Sequence, residues 1–432
     1  MTVPTATSRT ILVVGGGISG MTAALEAAEC GQQVLLVEKS PTLGGRTSQL
    51  YRYFPKMCHP SCGLEINLKR MKGNPRVRVM VMTEVIAVSG RRGDYRVTLK
   101  VRPRYVNENC TACGKCAEAV TSEIPDVFNY GLAKTKAAYL PHLMAYPQRY
   151  VIDPSIVGGF DGERAKAACP VHAVDLGMTE ETLEFSVGAI IWATGWRPFD
   201  ANKIQPYGYD RFDNVITSVE FERLADPRGP TAGLLLRPSD GKPAGNIAFI
   251  QCAGSRDENY LRHCSRICCM ATLKQTQYLR EAGGGGKSTV YYIDIRAIDR
   301  FEDFYQMVQA DPAVSFVKSK VARIAVNEAN GNPILHGVDT EGYHRYANEH
   351  DLVVLAVGME PEINGLLGKS LSAEIGFDSS GFIEVCAAAD AGMFAAGAAA
   401  SPLDVNRSVQ SATAASLKAI QVVHKIASTE VV

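Results

Sequence analysis

Short apolar runs recur along the chain, and a turn that contains glycine or polar residues follows each of them. They are ILVV at 11–14, AIIW at 189–192, NIAFI at 246–250, LVVLAV at 352–357 and MFAA at 393–396. Such runs are typical of strands that are buried on both faces of a parallel sheet. We therefore expect an α/β protein in which helices cover parallel sheets.

The first of these runs opens a nucleotide-binding pattern. Residues 11–40 predict a strand, a glycine turn, a helix and a second strand, with Gly15, Gly17 and Gly20 in the spacing G-x-G-x-x-G. In this motif the glycines make the tight turn, admit a pyrophosphate and pack the helix on the strand. Glu38 ends the second strand, where an acid accepts hydrogen bonds from a ribose hydroxyl. The pattern predicts a dinucleotide site.

Four later segments resemble those of flavoproteins with two dinucleotide-binding domains. They are the glycine pair in PTLGGRTSQ, the strand VMTEVIAVSG, the "ATG" strand in VGAIIWATGWRP, and the terminal element MFAAGAAASPLDVNRSVQSATAAS. In the terminal element the usual acid is replaced by Ala398. The resemblance implies FAD. The expected FAD-binding residues are Gly15, Gly17, Ser19, Gly20, Glu38, Lys39, Gly45, Arg46, Thr47, Val85, Thr194, Gly195, Gly397, Asp404 and Val405.

Composition narrows the class of protein. The 432 residues carry 45 basic and 45 acidic side chains, so no net charge favours nucleic acid or an anionic membrane. No apolar run is long enough for a bilayer span, and MTVPTATSRT is not a signal peptide, so we expect a cytoplasmic protein. Twelve cysteines in a reducing compartment favour metal or redox chemistry. Cys30 and Cys386 stand alone and are predicted to be packing residues.

One group of cysteines follows half of a ferredoxin pattern. Cys110, Cys113 and Cys116 are spaced C-x2-C-x2-C, and Cys169 precedes Pro170. These four, the insertion quartet, are the ligand set of one [4Fe–4S] cluster in a two-cluster ferredoxin, and the complementary set is missing. Zinc is the alternative, but zinc ribbons favour two C-x2-C pairs.

A second group lies where a second nucleotide fold would place its phosphate turn. After a Pro- and Gly-rich linker at 226–245, NIAFIQCAGSRDEN retains only Gly254 of a fingerprint, which disfavours NAD(P)H. The turn quartet consists of Cys252, Cys264, Cys268 and Cys269. We expect Cys264 and Cys268 to lie one turn apart on one helix face. The spacing fits no common motif, so a cluster and free buried thiols both stay open.

The runs CAGSRDENYLRHCSRICCMATLKQ, YYIDIRAIDRFEDFY, PRYVNENCTACGKC and ASPLDVNRSVQSA closely resemble the A subunit of heterodisulfide reductase. The resemblance extends from residue 10 onward. It implies FAD in a thioredoxin-reductase-like core, homodimerisation, and a [4Fe–4S] cluster on the turn quartet. The chain looks most like the short form of heterodisulfide-reductase-like complexes in sulfur oxidisers, whose partners include lipoate-carrying proteins.

The expected domain order follows from these motifs. Residues 1–102 begin the FAD domain, 103–178 form a ferredoxin-like insertion, 179–240 return to the FAD domain and its linker, 241–358 form the second Rossmann-like domain, and 359–432 complete the FAD domain. The expected function is electron transfer between FAD and one or two [4Fe–4S] clusters, with no general acid or base.

Two alternatives belong to other classes of function. Cys58 and Cys62 lie where glutathione-reductase-like enzymes keep a redox disulfide, so an NAD(P)H-dependent disulfide oxidoreductase is the rival. The C-x3-C spacing and the missing fingerprint argue against it. The other alternative is an assembly protein in which FAD is structural.

Overall fold

The computed structural model describes residues 8–281, 285–363, 375–384 and 392–429. The chain forms two compact units, each assembled from separate segments. The first contains residues 1–48, 61–196 and 361–432, and the second contains 49–60 and 197–360.

The first unit is built on a five-stranded parallel sheet. Its strands are β1 Ile11–Val14, β2 Val34–Glu38, β3 Val77–Val81, β11 Ala189–Trp192 and β22 Met393–Ala395, in the order β22-β11-β1-β2-β3. Among its described residues, the helices of this unit outside the insertion are α1 Ile18–Glu29, α2 Ser61–Gly73 and α8 Val405–Thr429. An antiparallel sheet packs its apolar side chains against the face of the parallel sheet that lies opposite these helices. Its strands are β4 Thr83–Arg91, β5 Asp94–Val101 and β10 Glu181–Val187, in the order β10-β5-β4.

Between β5 and β10 the chain forms a small layer with its own core. Its elements are α3 Lys115–Ala119, β6 Glu123–Pro125, β7 Lys134–Lys136, β8 Ala138–Tyr139, β9 Val151–Ile152 and α4 Phe160–Ala168. The strands pair as two short antiparallel ribbons, β6-β7 and β8-β9. Cys116 and Cys169 are buried in this core together with Val106, Val120 and Ile152. The insertion quartet therefore lies at this core, because two of its four thiols are buried among the apolar side chains.

The second unit repeats the nucleotide-fold plan with another parallel sheet. Its strands are β13 Val215–Thr217, β14 Asn246–Ala253, β15 Lys287–Tyr292, β16 Val314–Lys318 and β20 Leu352–Val357, in the order β13-β20-β14-β15-β16. Its helices are α5 Ser218–Ala225, α6 Cys268–Glu281 and α7 Phe301–Gln309. An antiparallel sheet adds β17 Arg323–Val326, β18 Pro333–Asp339 and β19 His344–Glu349. The chain crosses between the units along β12 Trp196–Pro198 and β21 Met359–Pro361.

The second unit begins earlier than the boundary at residue 241 that the linker composition indicates. Residues 215–217 pair with β20 as an edge strand, and Phe199 and Tyr207 enter the apolar core of this unit. Residues 197–240 therefore belong to the second unit, since their apolar side chains are buried there.

Segment 49–60 also belongs to the second unit, although both of its neighbours in sequence belong to the first. A buried carboxylate, Glu222 on α5, accepts hydrogen bonds from the backbone N–H of Tyr51, from Gln275 Nε2 and from Tyr278 Oη at 2.6–2.9 Å. It also pairs with Lys274 Nζ at 2.8 Å, and Lys274 donates to the carbonyl of Arg52. The buried Glu222–Lys274 pair thus binds this segment at both Tyr51 and Arg52.

Because this pair is buried, breaking it should destabilise the protein strongly. In a Glu222→Ala variant Lys274 would stay buried without its counter-ion, which costs about 3–5 kcal/mol of unfolding free energy. Urea unfolding of the variant measures this cost. Replacing both members, as in Glu222→Leu with Lys274→Met, should recover only the cost of the unpaired charge. The Tyr51 N–H, Gln275 Nε2 and Tyr278 Oη still lose their acceptor in that variant.

The matched control is Glu341→Ala, which removes the partner of Lys318 on the surface and should change stability little. Equal unfolding midpoints for Glu222→Ala and Glu341→Ala would contradict a stabilising role for the buried pair.

Candidate cofactor sites

The first nucleotide turn is closed by contacts that only glycine permits. A Cβ on Gly20 would lie 1.8 Å from the carbonyl oxygen of Gly15, and a Cβ on Gly15 would lie 2.3 Å from that of Ala193. Gly15 also has a φ of +109°, which residues other than glycine rarely adopt. The helix, the turn and the strand that leaves the sheet at Ala193 therefore meet through their backbones.

Gly17 differs from its neighbours because nothing crowds it. The nearest atom to a Cβ at Gly17 would be the Cα of Gly45, at 3.9 Å, and its φ of −73° suits any residue. Glycine is thus unnecessary for the fold at this position. It leaves the backbone open toward the space where a pyrophosphate would approach.

A cavity opens at the carboxyl ends of β1 and β2. Its lining consists of Val14, Gly15, Val37, Glu38, Lys39, Thr83, Glu84, Val85, Trp192 and Thr194. Trp192 Nε1 and Thr194 Oγ1 are buried and have no hydrogen-bond partner in the described part of the chain. Buried polar atoms normally have partners, so these two fit a polar cofactor in the cavity.

Glu38 and Lys39 in the cavity lining are each held by further contacts. Glu38 accepts hydrogen bonds from the N–H groups of Gly16 and Ser40, at 2.6 and 2.7 Å. Lys39 forms an ion pair with Glu362, and the N–H of Glu362 donates to the carbonyl of Gly195. Sequence reasoning missed Trp192 and Glu362. Trp192 could have been found from its place in the apolar run just before Thr194.

The glycine pair folds back onto the first turn. Gly44 pairs with Gly17, and a Cβ on Gly45 would lie 2.8 Å from Gly17 Cα. Arg46 follows directly, donates from Nε to the carbonyl of Trp196 at 2.9 Å, and lies over the rings of Trp196 and Tyr130. Arg46 is therefore held by protein contacts beside the glycine loop, and Thr47 next to it is buried.

The terminal element also reaches the first turn. A Cβ on Gly397 would lie 2.0 Å from Ser19 Oγ, so this glycine permits close approach to α1. The N–H of Gly397 donates to Ser411 Oγ. Asp404 caps α8 by accepting from the N–H of Arg407 at 2.9 Å, and Val405 begins that helix. The positive end of the α8 dipole is thus fixed in the first unit.

The insertion quartet is gathered around a buried thiol. Burial, together with the charges of Cys110 and Cys169, raises the pKa of Cys116 to about 11. Burial also opposes ionisation of Cys169, but the backbone amides of Ala173, Val174, Val171 and His172 outweigh it and lower its pKa. The Cys169 sulfur accepts from the N–H of Ala173 at 3.2 Å. Cys113 is exposed at the rim.

The turn quartet is more deeply enclosed. Burial raises the pKa of Cys268 well above its ordinary value, and the charges of Cys252, Cys269 and Cys264 act in the same direction. Burial likewise raises the pKa of Cys269 to about 11. The helix α6 begins at Cys268, so Cys264 lies in the preceding turn. The expectation that Cys264 and Cys268 share one helix face is wrong, because Cys264 precedes the helix and Arg266 between them has a left-handed backbone.

This turn is held by buried hydroxyls. Ser255 Oγ and Ser265 Oγ lie 2.9 Å apart, and Ser265 also accepts from the N–H of Met359. Gly254 has a φ of +76°, and a Cβ there would lie 2.3 Å from the ring of Phe199. The one remaining glycine of the lost fingerprint is therefore needed for packing.

In each quartet a backbone N–H group is directed at the sulfur of a cysteine two residues earlier. The N–H of Ala112 points at the sulfur of Cys110, and that of Arg266 points at the sulfur of Cys264, each at 3.4 Å. Ala112 and Arg266 have φ values of +55° and +62°, which cost energy for residues with a Cβ. Such amide hydrogen bonds stabilise negative sulfur, and strained backbone of this kind clusters at functional sites.

The described residues contain no group of three or more His, Cys, Asp or Glu side chains arranged for a single metal ion. In the insertion quartet the charges of Cys110 and Cys169 act on Cys116, and in the turn quartet those of Cys252, Cys264 and Cys269 act on Cys268. Backbone amides are directed at sulfur in both quartets. That donor set fits thiolate-bound iron.

The remaining cysteines lie outside both quartets. Cys58 belongs to the second unit and Cys62 lies near the start of α2 in the first, and both are exposed free thiols. Cys30 is also exposed, so its prediction as a packing residue is wrong. Cys30 directly follows the last residue of α1, at a turn that is exposed to solvent. Cys386 lies outside the described residues.

Comparison with known proteins shows the family to which the chain is related. A family model described as FAD dependent oxidoreductase matches residues 10–109, the part that holds the first nucleotide turn, and it supports FAD as the cofactor. The A subunit of the ferredoxin:CoB-CoM heterodisulfide reductase of Methanosarcina mazei is 36% identical over 424 residues, which cover 96% of this chain and 53% of that protein. The chain is a relative of these heterodisulfide reductase A subunits.

Two further A subunits support the relationship. The second iron-sulfur A subunit of the CoB–CoM heterodisulfide reductase of Methanopyrus kandleri is 38% identical and covered to 63%, with 94% of this chain aligned. The corresponding iron-sulfur A subunit of Methanocaldococcus jannaschii is 39% identical over 86% of this chain and 57% of its own. The chain thus spans roughly half to two thirds of the length of these A subunits.

Solved structures confirm the predicted fold. Thioredoxin reductase of T. acidophilum superposes with a TM-score of 0.52 at 14% identity, covering 96% of this chain and 98% of that one. Thioredoxin reductase of Lactococcus lactis gives 0.51 with the same identity and coverage. The α/β fold with two nucleotide-binding domains and the resemblance to the heterodisulfide reductase A subunit are confirmed. No helix within the described ranges has the length and apolar character of a membrane span.

The open backbone at Gly17 generates a prediction. Gly17→Ala should fold normally, because its Cβ meets nothing closer than 3.9 Å, yet it should weaken FAD binding at least about tenfold, or about 1.4 kcal/mol. Flavin content after purification and titration of the apoprotein with FAD measure this. Gly63→Ala is the matched control, because a Cβ there also meets nothing within 4 Å.

Gly20→Ala should instead lose both stability and flavin, since its Cβ would clash with the Gly15 carbonyl. Full FAD affinity in Gly17→Ala would show that the pyrophosphate does not pass this backbone.

Proposed function

We propose that the chain passes electrons between FAD in the first unit and [4Fe–4S] clusters on the insertion quartet and the turn quartet. The observation that carries the proposal is that one chain combines a flavin-type nucleotide turn with two cysteine quartets whose loops direct backbone amides at sulfur. FAD exchanges electrons singly or in pairs and a [4Fe–4S] cluster exchanges them singly, so together they convert a two-electron reaction into one-electron steps.

The protein's own contribution is binding and electrostatics. Gly15, Gly17 and Gly20 shape the phosphate turn, and Glu38 is the acid nearest to where a ribose would lie. Amides of the two loops point at sulfur and stabilise the thiolate form of the ligands. No residue is assigned as a general acid or base, because electron transfer needs none.

We also propose partners by relationship. The relatives are A subunits of heterodisulfide reductases, so this chain is proposed to work inside a related multisubunit complex, as a homodimer, in the cytoplasm. Resemblance to the short form adds oxidation of sulfur compounds, with a lipoate-carrying protein as an indirect partner. These assignments can be tested by co-purification from the native source.

Metal and flavin analysis of the anaerobically purified protein tests the cofactors. About eight irons per flavin are expected if both quartets hold a cluster, and about four if one does. Cys113→Ala and Cys268→Ala should each remove one cluster and its EPR signal from the reduced protein. Cys30→Ala is the matched control and should keep full iron, since Cys30 is exposed and outside both quartets.

A protein that binds flavin but no iron under these conditions would contradict the cluster assignment. Zinc in place of iron would support the alternative for the insertion quartet.

The same preparation tests the rival function. If NAD(P)H bleached the flavin within minutes, and Cys58→Ser abolished reduction of a disulfide substrate, the chain would be a disulfide oxidoreductase. The turn after β14 argues against this, because Cys252 and the Ser255–Ser265 pair occupy the place of the glycine fingerprint. Flavin that stays oxidised through turnover of the complex would support a structural role for FAD.

A further inference from the structure

Arg104 is a buried cation between the insertion and residues 41–46, the FAD loop, which contains the glycine pair. Its side chain is 7% exposed, and it donates three hydrogen bonds, all to backbone carbonyls. Nε reaches Tyr150 O at 2.9 Å, Nη2 reaches Arg149 O at 2.6 Å, and Nη1 reaches Pro41 O at 2.7 Å. Within the described ranges no carboxylate pairs with it. Burying a charge without a counter-ion costs free energy, so the position of Arg104 needs an explanation.

The three acceptors belong to two different parts of the first unit. Pro41 leads into the glycine pair at 44–45, which packs on the first nucleotide turn. Arg149 and Tyr150 belong to the insertion, and the Tyr150 hydroxyl lies 3.4 Å from where a Cβ on Gly114 would be, between Cys113 and Cys116. One planar guanidinium therefore joins the FAD loop to the loop beside the insertion quartet.

A second set of bonds runs beside the first. The N–H of Leu43 donates to Tyr146 O at 2.9 Å, and the N–H of Tyr146 donates to Thr42 Oγ1 at 2.9 Å. The backbone junction is thus already made without Arg104. Arg104 adds a positive charge that is buried away from water.

That charge lies within reach of the quartet. Burial, and then the charge of Arg149, lower the pKa of Arg104 to about 10, whereas the negative charges of Tyr139 and Cys110 act against this. The guanidinium stays protonated at neutral pH. A fixed positive charge that interacts with Cys110 also favours an added electron on anything that Cys110 binds, because reduction makes the group more negative.

We propose that Arg104 is a positioning residue which holds the insertion quartet on the FAD loop and raises the reduction potential of the cluster bound there. The inference rests on the proposed function. It assigns Arg104 two separable contributions, its forked geometry and its charge.

The substitutions separate these contributions. Arg104→Gln removes the charge, so reduction of the cluster should become about tenfold less favourable, which is about 59 mV toward negative potential for one electron. Arg104→Lys keeps a charge but cannot reach three carbonyls, so the potential should shift by less than half as much. The readout is an EPR-monitored redox titration of the signal that Cys113→Ala removes.

The matched control lies two residues away. Arg102 also donates to a carbonyl next to the FAD loop, that of Lys39 at 2.7 Å, but its side chain is 45% exposed and lies 3.4 Å from Glu84. Solvent and a counter-ion screen its charge, so Arg102→Gln should leave the potential unchanged.

The geometric contribution can be measured without any cofactor. In the apoprotein, hydrogen–deuterium exchange of residues 41–46 and 144–152 should increase in Arg104→Gln and increase less in Arg104→Lys, with Arg102→Gln as in the unchanged protein.

Equal potentials in Arg104→Gln and Arg102→Gln, with iron and flavin retained, would overturn the role of Arg104 and leave the proposed function intact. Absence of iron from the insertion quartet in the unchanged protein would overturn the proposed function and the inference together.

Discussion

Backbone contact at one point of the first unit determines whether its nucleotide site can exist. The carbonyl of Gly15 lies against Gly20 and the carbonyl of Ala193 lies against Gly15, at distances that leave no room for a methyl group. Helix α1, the first turn and the exit from β11 are brought together there. Trp192 and Thr194 flank Ala193 at this contact, and both line the cavity.

The two cysteine quartets show how the chain handles thiols that it must bury. Apolar surroundings favour the neutral thiol, as the raised pKa values of Cys116 and Cys269 indicate. Backbone amides favour the opposite, and at Cys169 they win. The chain accepts left-handed backbone at Ala112 and Arg266 to aim two more amides at sulfur. Two loops of different sequence thus use the same arrangement, in which a residue with left-handed backbone directs its N–H group at a cysteine sulfur.

The sequence predicted the parts of the molecule that depend on local pattern. Apolar runs and glycine spacing indicated the strands, the first turn and the two-domain fold. Cysteine spacing indicated the insertion quartet and the family resemblance implied the turn quartet, and both stay predictions. It did not predict features that depend on distant partners. The helix at Cys268 begins later than its periodicity indicates, because the preceding turn is fixed by Ser265 and Met359. Arg104 is one of many arginines in the sequence, and its burial and its three carbonyl acceptors are known only from the structure.

The order of the sheet strands has a consequence for the order of synthesis. Strand β22 lies at the edge of the first sheet beside β11, yet it is made almost last, at residues 393–395. The FAD sheet of a nascent chain therefore stays incomplete until the whole second unit has left the ribosome. The second unit, whose sheet is contained within residues 215–357, can fold earlier. Capture of the flavin would then be a late event in biogenesis, and a truncated product would be released without it.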